Sequence, residues 1–284
     1  MKTILLPTDF SNNALNAAIY AINLYSKETC HFILLNAYSI EGYFSHSFLV
    51  PEPAKHTLEQ AQQDSSEKLL KLVNDLEIEY SNPNHNFTTV SQNDHLVNAI
   101  KLQIESSPVE AIIIGTQGNS AAHDVAFGRN TKNIMEEVRN CPILAIPSHV
   151  RYQDINEVVL ATSYKMDFRA EDFSFIKRFL SRNNASLRVL HIEETQELTE
   201  IQKSKKDALE IILKNTPHSF HHLANVSIPI GIYTFTESRG SDMIAFLNKR
   251  HSFFENILLE PLYKNLGKYS QIPVLVLQLN REEY

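Results

Sequence analysis

Short apolar runs rich in Ile, Val and Leu alternate along this chain with longer stretches whose apolar positions recur every three or four residues. In the first half the runs are TILLP (3–7), HFILLNA (31–37), FTTVS (87–91), AIIIG (111–115) and PILAIP (142–147), each read as a strand. The first stretch between them starts at Ser11, a plausible N-cap, and places Leu15, Ala18, Ile19 and Ile22 on one helical face. Residues 54–80 similarly carry Leu58, Ala61, Leu69, Leu72, Val73 and Leu76, and RNTKNIMEEVRN (129–140) predicts a further helix. Apolar strands joined by amphipathic helices predict a parallel sheet covered on both faces.

The second half repeats the plan. Strands are predicted at EVVLATS (157–163), SLRVLHI (186–192), IPIGIYTF (228–235), MIAFL (243–247) and IPVLVLQL (272–279), with helices near 168–182, 198–214 and 255–269. ILLPTD resembles VVLATS, and VRNCPILAIP resembles YSQIPVLVLQ, so the halves read as a duplication. A boundary in the polar stretch Ser148 to Asn156 gives domains at 1–150 and 151–284. A single ten-strand sheet is the rival reading.

Composition narrows the functional classes. A net charge of −7 argues against nucleic acid as a partner, because phosphate binding needs a basic surface. The N-terminal apolar run is four residues long before Pro7, and no run approaches the ~20 residues of a membrane span, so a cytoplasmic location without membrane attachment is expected. Cys30 and Cys141 lie beside strands without CxxC spacing and are read as small buried hydrophobes.

The candidate chemistry gathers at GTQGNSAAHDVAFGRN (115–130), which holds three of the seven glycines. In an open parallel sheet, ligands bind beyond the C-terminal strand ends where the strand order reverses. If the chain begins mid-sheet, the loops after the first and fourth strands, PTDFS and the glycine stretch, meet there. Gly115 and Gly118 let backbone N–H groups approach an anion, and Gly128 precedes a helix whose first N–H groups are unpaired. Asn130 and Thr131 either cap that helix or contact a ligand oxygen. Asp9 either accepts hydrogen bonds from a ribose or base, or caps the helix starting near Ser11. Taken singly, these residues equally suit a strand end, a helix cap and turns in a surface loop.

The spacing Gly115-x2-Gly118-x9-Gly128, after an apolar strand and before a short helix and CPILAIP, resembles the universal stress protein family. ILLPTDFS is similar to that family's opening strand and Pro-Thr-Asp loop. The resemblance covers about 147 residues and reaches the second half mainly through its strand pattern. It implies two tandem Rossmann-like α/β domains, each a five-stranded parallel sheet in the order 3-2-1-4-5 flanked by helices, often pairing through the last strand. Carried over residue by residue, it implies a site for ATP, with Mg²⁺, or another adenine nucleotide. Pro7, Thr8, Asp9 and Ala37 would lie near base and sugar; Ile114, Gly115, Gln117 and Gly118 would line the loop; Gly128, Arg129, Asn130 and Thr131 would face the phosphates. The family has Ser or Thr where this chain has Arg129, which leaves two outcomes open: a guanidinium paired with phosphate, or a side chain filling the pocket.

At corresponding positions the second half has ATSYK, with Ser163 in place of Asp9, and no glycine between MIAFL and Gly267, so it is expected to have lost the site. Lys249, Arg250 and His251, followed by Phe253 and Phe254, read as core and inter-half packing or as an anion site. His218, His221 and His222 could place two rings on one helix face, but no nearby carboxylate or cysteine completes a metal set. Residues 41–56, with Tyr43, Phe44 and Phe48, read as a lid, a dimer contact or core. GxSxG, GxxxxGK[ST] and HExxH are absent from the sequence.

These readings favour a stress-response binding protein regulated by nucleotide, its protein partner not identified by the sequence. A nucleotide-independent scaffold is the alternative, and an ATP-hydrolysing or adenylyl-transferring enzyme is disfavoured for want of an acid/base pair beside the loop. Either a homodimer or an intrachain pseudo-dimer is expected; in the latter, PILAIP and PVLVLQL cover each other's edge.

Overall fold

The computed structural model describes residues 1–39, 55–117, 127–193, 197–248 and 272–279. The first half contributes β1 (Lys2–Pro7), α1 (Asn12–Leu24), β2 (Cys30–Tyr38), α2 (Lys55–Glu79), β3 (His85–Asn93), α3 (Leu96–Ser106), β4 (Ala111–Gly115), α4 (Arg129–Glu137) and β5 (Ile143–Ile146). The second contributes β6 (Glu157–Ala161), a 3-10 turn (Ala170–Phe173), α5 (Ser174–Asn183), β7 (Ser186–Glu193), α6 (Glu200–Leu213), β8 (His218–Ala224), α7 (Ile228–Arg239), β9 (Met243–Asn248) and β10 (Val274–Gln278).

Each half is the expected parallel sheet in local order 3-2-1-4-5, and the two join edge to edge. The full order is β3-β2-β1-β4-β5-β10-β9-β6-β7-β8, with β5 and β10 antiparallel and every other pair parallel. The rival reading of one ten-stranded sheet and the duplication therefore both hold. Strands β5 and β10 are almost wholly buried and apolar, so each removes the other's unpaired edge from water. One buried cluster fills the α1, α2, α5 and α6 face of the sheet and another the α3, α4 and α7 face.

Three elements differ from the sequence reading. Residues 228–235, expected as a strand, form the start of α7. Ser227 stands at its N-cap, Pro229 lies in its first turn, and Gly240 closes it at φ 62°, start and stop signals that outweigh the alternation in IPIGI. The third strand of this half is instead the histidine-rich β8, an edge strand with no fully buried residue. His218, His221 and His222 accordingly do not share a helix face: the His221 ring meets Phe235 on one side of the sheet, and the His222 ring meets His191 on the other. Among the described residues no group of three His, Cys, Asp or Glu is placed to hold a metal ion. Helix α3, not named from sequence, buries Ala99 and Ile100.

The start of the second half is held by charge. Glu157 accepts hydrogen bonds from Arg188 Nε (2.6 Å), Arg239 Nε and Nη2 (both 2.7 Å) and Ser241 Oγ (2.8 Å). Arg239 above all holds its carboxyl at about 2. A depressed carboxyl stabilises the fold above its unfolded value near 4.5 and loses that contribution as pH falls toward 2. Glu157→Gln should cost about 2 kcal/mol at pH 7, discounted for partial solvent screening of Arg239, and thermal melts should show the deficit vanishing near pH 2.

Candidate functional site

The loop after β1 is shaped by short polar bonds. The Thr8 N–H donates to Leu35 O (2.8 Å), Asn36 Nδ2 donates to Thr8 O (2.7 Å), and Thr8 Oγ1 accepts from the Phe10 N–H (3.0 Å). Phe10 is thereby held at φ 61°, a conformation that non-glycine residues seldom adopt. Asp9 Oδ1 accepts the Ser11 N–H (3.0 Å), and Ser11 Oγ caps α1 by accepting the Ala14 N–H (3.1 Å). Asp9 is exposed at the crevice mouth, with Pro7 at the end of β1 and half-buried Ala37 near the end of β2.

Strand β4 ends opposite this loop, as the topology requires. Ile114 is buried at 7% exposure. A Cβ on Gly115 would stand 2.7 Å from Asn13 Cγ and Nδ2, so glycine is needed here for the close approach of α1. Asn13 Nδ2 donates to the carbonyl of half-buried Gln117 (2.7 Å), pinning the first residues of the glycine stretch to α1. Gly118 and residues 119–126 lie outside the described residues.

At the far end of the stretch, the Gly128 N–H donates to Thr116 O (2.7 Å), and the hydroxyl of Thr131, 3% exposed, donates to Gly115 O (2.9 Å). Both groups, expected to face phosphate, here tie the start of α4 to the end of β4. Gly128 stands at the N-cap and has no side chain to meet the N–H groups of Arg129, Asn130 and Thr131. The Arg129 and Asn130 side chains are exposed, so Arg129 does not occupy the interior of the fold.

The second half keeps the first loop and alters its support. The Thr162 N–H donates to Leu190 O (2.9 Å), Thr162 Oγ1 accepts from Tyr164 N–H (3.2 Å), and Tyr164 has φ 52°. By strand register, His191 stands where Asn36 does, and its Nδ1 lies 2.9 Å from Thr162 O as Asn36 Nδ2 lies from Thr8 O. In the first half Asn36 Oδ1 accepts from Ser65 Oγ, which in turn accepts from Ser91 Oγ. In the second, His191 Nε2 meets Glu193 Oε2 (3.1 Å), and Gln202 Nε2 bonds Ser163 O and Glu193. Buried Tyr164 packs on His191 with ring centroids 4.9 Å apart. His191 and Tyr164 thus stand where Asn36 and Phe10 do, and Ser163 replaces Asp9. The candidate anion stretch at 249–251, its aromatic neighbours, the predicted helix 255–269 and the 41–54 part of the predicted lid lie outside the described residues.

Cys30 and Cys141 are buried, and burial above all raises their thiols to about 11 and about 12. At neutral pH both therefore stay in the unreactive thiol form.

An open parallel sheet whose order reverses between β1 and β4, with a glycine-bounded helix start at the switch point, defines a doubly wound α/β protein of the Rossmann type. The universal stress protein family model matches residues 1–147, more than half the chain, and the chain belongs to that family. A universal stress protein from Archaeoglobus fulgidus superposes with a TM-score of 0.69 at 15% identity, covering 97% of this chain and 98% of that one. A functionally unknown protein from Pseudomonas aeruginosa gives 0.57 at 12% identity over 98% and 92% of the two chains. A putative universal stress protein from the same species gives 0.56 at 11% identity over 98% and 93%. These likenesses extend the shared fold across both halves. Comparison with curated proteins gave no match. No helix among the described residues is long and apolar enough to cross a membrane.

Proposed function

We propose that the chain is a cytoplasmic stress-response binding protein whose first half takes an adenine nucleotide and whose nucleotide occupancy sets its affinity for a protein partner. The observation that carries this reading is the start of α4, which follows β4 at the β1–β4 switch point: Gly128 at its N-cap gives no side-chain bond to the first N–H groups of the helix. Family membership adds weight. Phosphates would rest on the N–H groups of Arg129 to Thr131, with the exposed Arg129 guanidinium as an added charge partner, and base and ribose would lie between Pro7–Asp9 and Ala37. Mg²⁺ would accompany ATP through the phosphate oxygens. With Gly128 N–H and Thr131 Oγ1 engaged by the protein itself, the cradle relies more on Arg129 than the family's usual hydroxyl arrangement does.

Native mass spectrometry with ATP and Mg²⁺ should show one nucleotide per chain, and no adduct at millimolar ATP would reject the reading in favour of a nucleotide-independent scaffold. Arg129→Ser should weaken binding about tenfold, the loss of one charge-assisted contact. Tighter binding would instead mark the arginine as an obstruction.

A further inference from the structure

Helix α4 touches both halves, one at each end. Strand β10 runs antiparallel to β5, so the C-terminal ends of β9 and β10 lie on the side of the sheet where β4 and β5 begin. The helix leaves the C-terminal end of β4 and returns toward the start of β5, and its last turn therefore arrives at those β9 and β10 ends. Over nine residues it spans about 13 Å.

The two ends are held differently. At the first, the Gly128 N–H and the Thr131 hydroxyl bond the carbonyls of Thr116 and Gly115, while the opening N–H groups receive no bond from the N-cap side chain. At the second, Met135 O belongs to the last turn, where a helix supplies no partner of its own. The second half supplies two: Asn248 Nδ2 donates to Met135 O at 2.7 Å and Gln278 Nε2 at 3.0 Å, and Asn248 Nδ2 also donates to Gln278 Oε1 at 2.9 Å. Asn248 ends β9 at 3% exposure, and Gln278 ends β10. By register they stand where the first half has Thr116 and Pro147, and proline has no side-chain donor to offer at that place.

Between these ends α4 is packed into the junction. Ile134, Met135 and Val138 share one buried cluster with Ile143 and Ala145 of β5, Val274 and Val276 of β10 and Ile244 of β9. Such packing leaves little room for one end of the helix to shift alone. Releasing the first turn lets α4 move, and that movement either pulls Met135 O from the clamp, leaving a buried amide proton of Asn248 without its acceptor, or carries the β9 and β10 ends along. The cost of the orphaned amide favours the second course.

We propose that α4 couples the first-half crevice to the ends of β9 and β10: an anion that fixes its first turn steadies those ends, and by linkage the clamp sets the affinity of the crevice. Asn248 and Gln278 are thus positioning residues contributed by the second half. Identifying that anion as a nucleotide phosphate rests on the function proposed above; the mechanical coupling does not.

The test is residue-resolved amide hydrogen exchange on the full chain. The reporter is the Leu279 N–H, which donates to Asn248 O (3.3 Å), and the control is the Leu187 N–H of β7, which donates to Pro217 O (2.8 Å). Without nucleotide, Thr131→Val removes the bond to Gly115 O and should speed exchange at Leu279 about fivefold, the usual worth of one buried hydrogen bond, with Leu187 unchanged. Added to Asn248→Ala/Gln278→Ala, the same substitution should change Leu279 no further. Thermal midpoints report whether each variant folds, and Gln278→Met alone, at a partly exposed position, makes the same comparison if the paired change does not. ATP with Mg²⁺ should slow exchange at Leu279 about fivefold, and Asn248→Ala/Gln278→Ala should weaken ATP binding by about the same factor. Exchange at Leu279 indifferent to Thr131→Val, or Leu187 speeding equally, would overturn the coupling, as would bound ATP that leaves Leu279 unchanged. Failure of ATP to bind would instead sink the nucleotide reading, with the Thr131→Val comparison still deciding the coupling.

Discussion

Gly115→Ala is expected to destabilise the protein by about 1–3 kcal/mol, the usual cost of forcing a methyl group into filled space. The new Cβ would meet Asn13 Cγ and Nδ2 at 2.7 Å and the Asn13 backbone carbon at 3.1 Å. Asn13 can move only by giving up its bond to Gln117 O (2.7 Å), which fixes the start of the glycine stretch. Chemical denaturation should show the loss. Asn13→Ala should relieve part of it in the double variant, because the side-chain clash disappears while the backbone contact stays. Strict additivity of the two changes would show that the pair does not interact. This Gly115 requirement is steric, and it holds with or without nucleotide.

Arg182→Ala should cost about 2–3 kcal/mol, combining the loss of a partly buried ion pair with that of a cation–π stack. Arg182 belongs to α5 in the second half, yet its guanidinium lies 4.2 Å from the ring centre of Tyr25 and donates to Glu28 Oε1 (2.9 Å), both in the first. Burial pushes the Tyr25 hydroxyl up to about 12, so the ring faces the guanidinium as a neutral phenol at physiological pH. Burial also tends to raise the Glu28 carboxyl, but Lys2 and Arg182 outweigh it and hold it below the ordinary range. Lys2 remains beside Glu28 in the variant, which keeps the cost below that of stranding a buried charge. Arg182→Lys should fall between the two, since it retains the charge and loses the planar stack. Because this contact crosses the junction, urea unfolding of Arg182→Ala should also broaden as the halves uncouple. An unchanged transition would confine the junction's strength to the β5–β10 pairing.

Most of the strands, and the helices other than α3 and α7, were legible because burial on both faces leaves a continuous apolar run, and burial on one face leaves a 3.6-residue period. Residues 228–235 misled because Ile-Pro-Ile-Gly-Ile imitates strand alternation, although Ser227, Pro229 and Gly240 carry the start and stop signals of a helix. Strand β8 was missed because an edge strand needs no apolar run, and HSFHHLA has only scattered apolar positions. Within the candidate site, Asp9, Gly115 and Gly128 stood out by residue type. Asn13, Asn36 and His191 did not, since an asparagine or histidine in a helix or strand gives no sign of which distant carbonyl it will reach.

The sequence by itself determined the α/β alternation, the duplication, the glycine-bounded helix start in the first half and the want of any glycine between Leu247 and Gly267 in the second. These are properties of local periodicity and residue type, which act over a few neighbouring positions. Only the tertiary structure decided that β5 and β10 close ten strands into one sheet and that Gly128 and Thr131 commit polar groups to the end of β4 and the residue after it. Each depends on which hydrogen-bonding groups meet across the fold, from Thr131 and Gly115 sixteen residues apart to β5 and β10 well over a hundred apart. That choice is made by register and packing, which local sequence pattern does not specify.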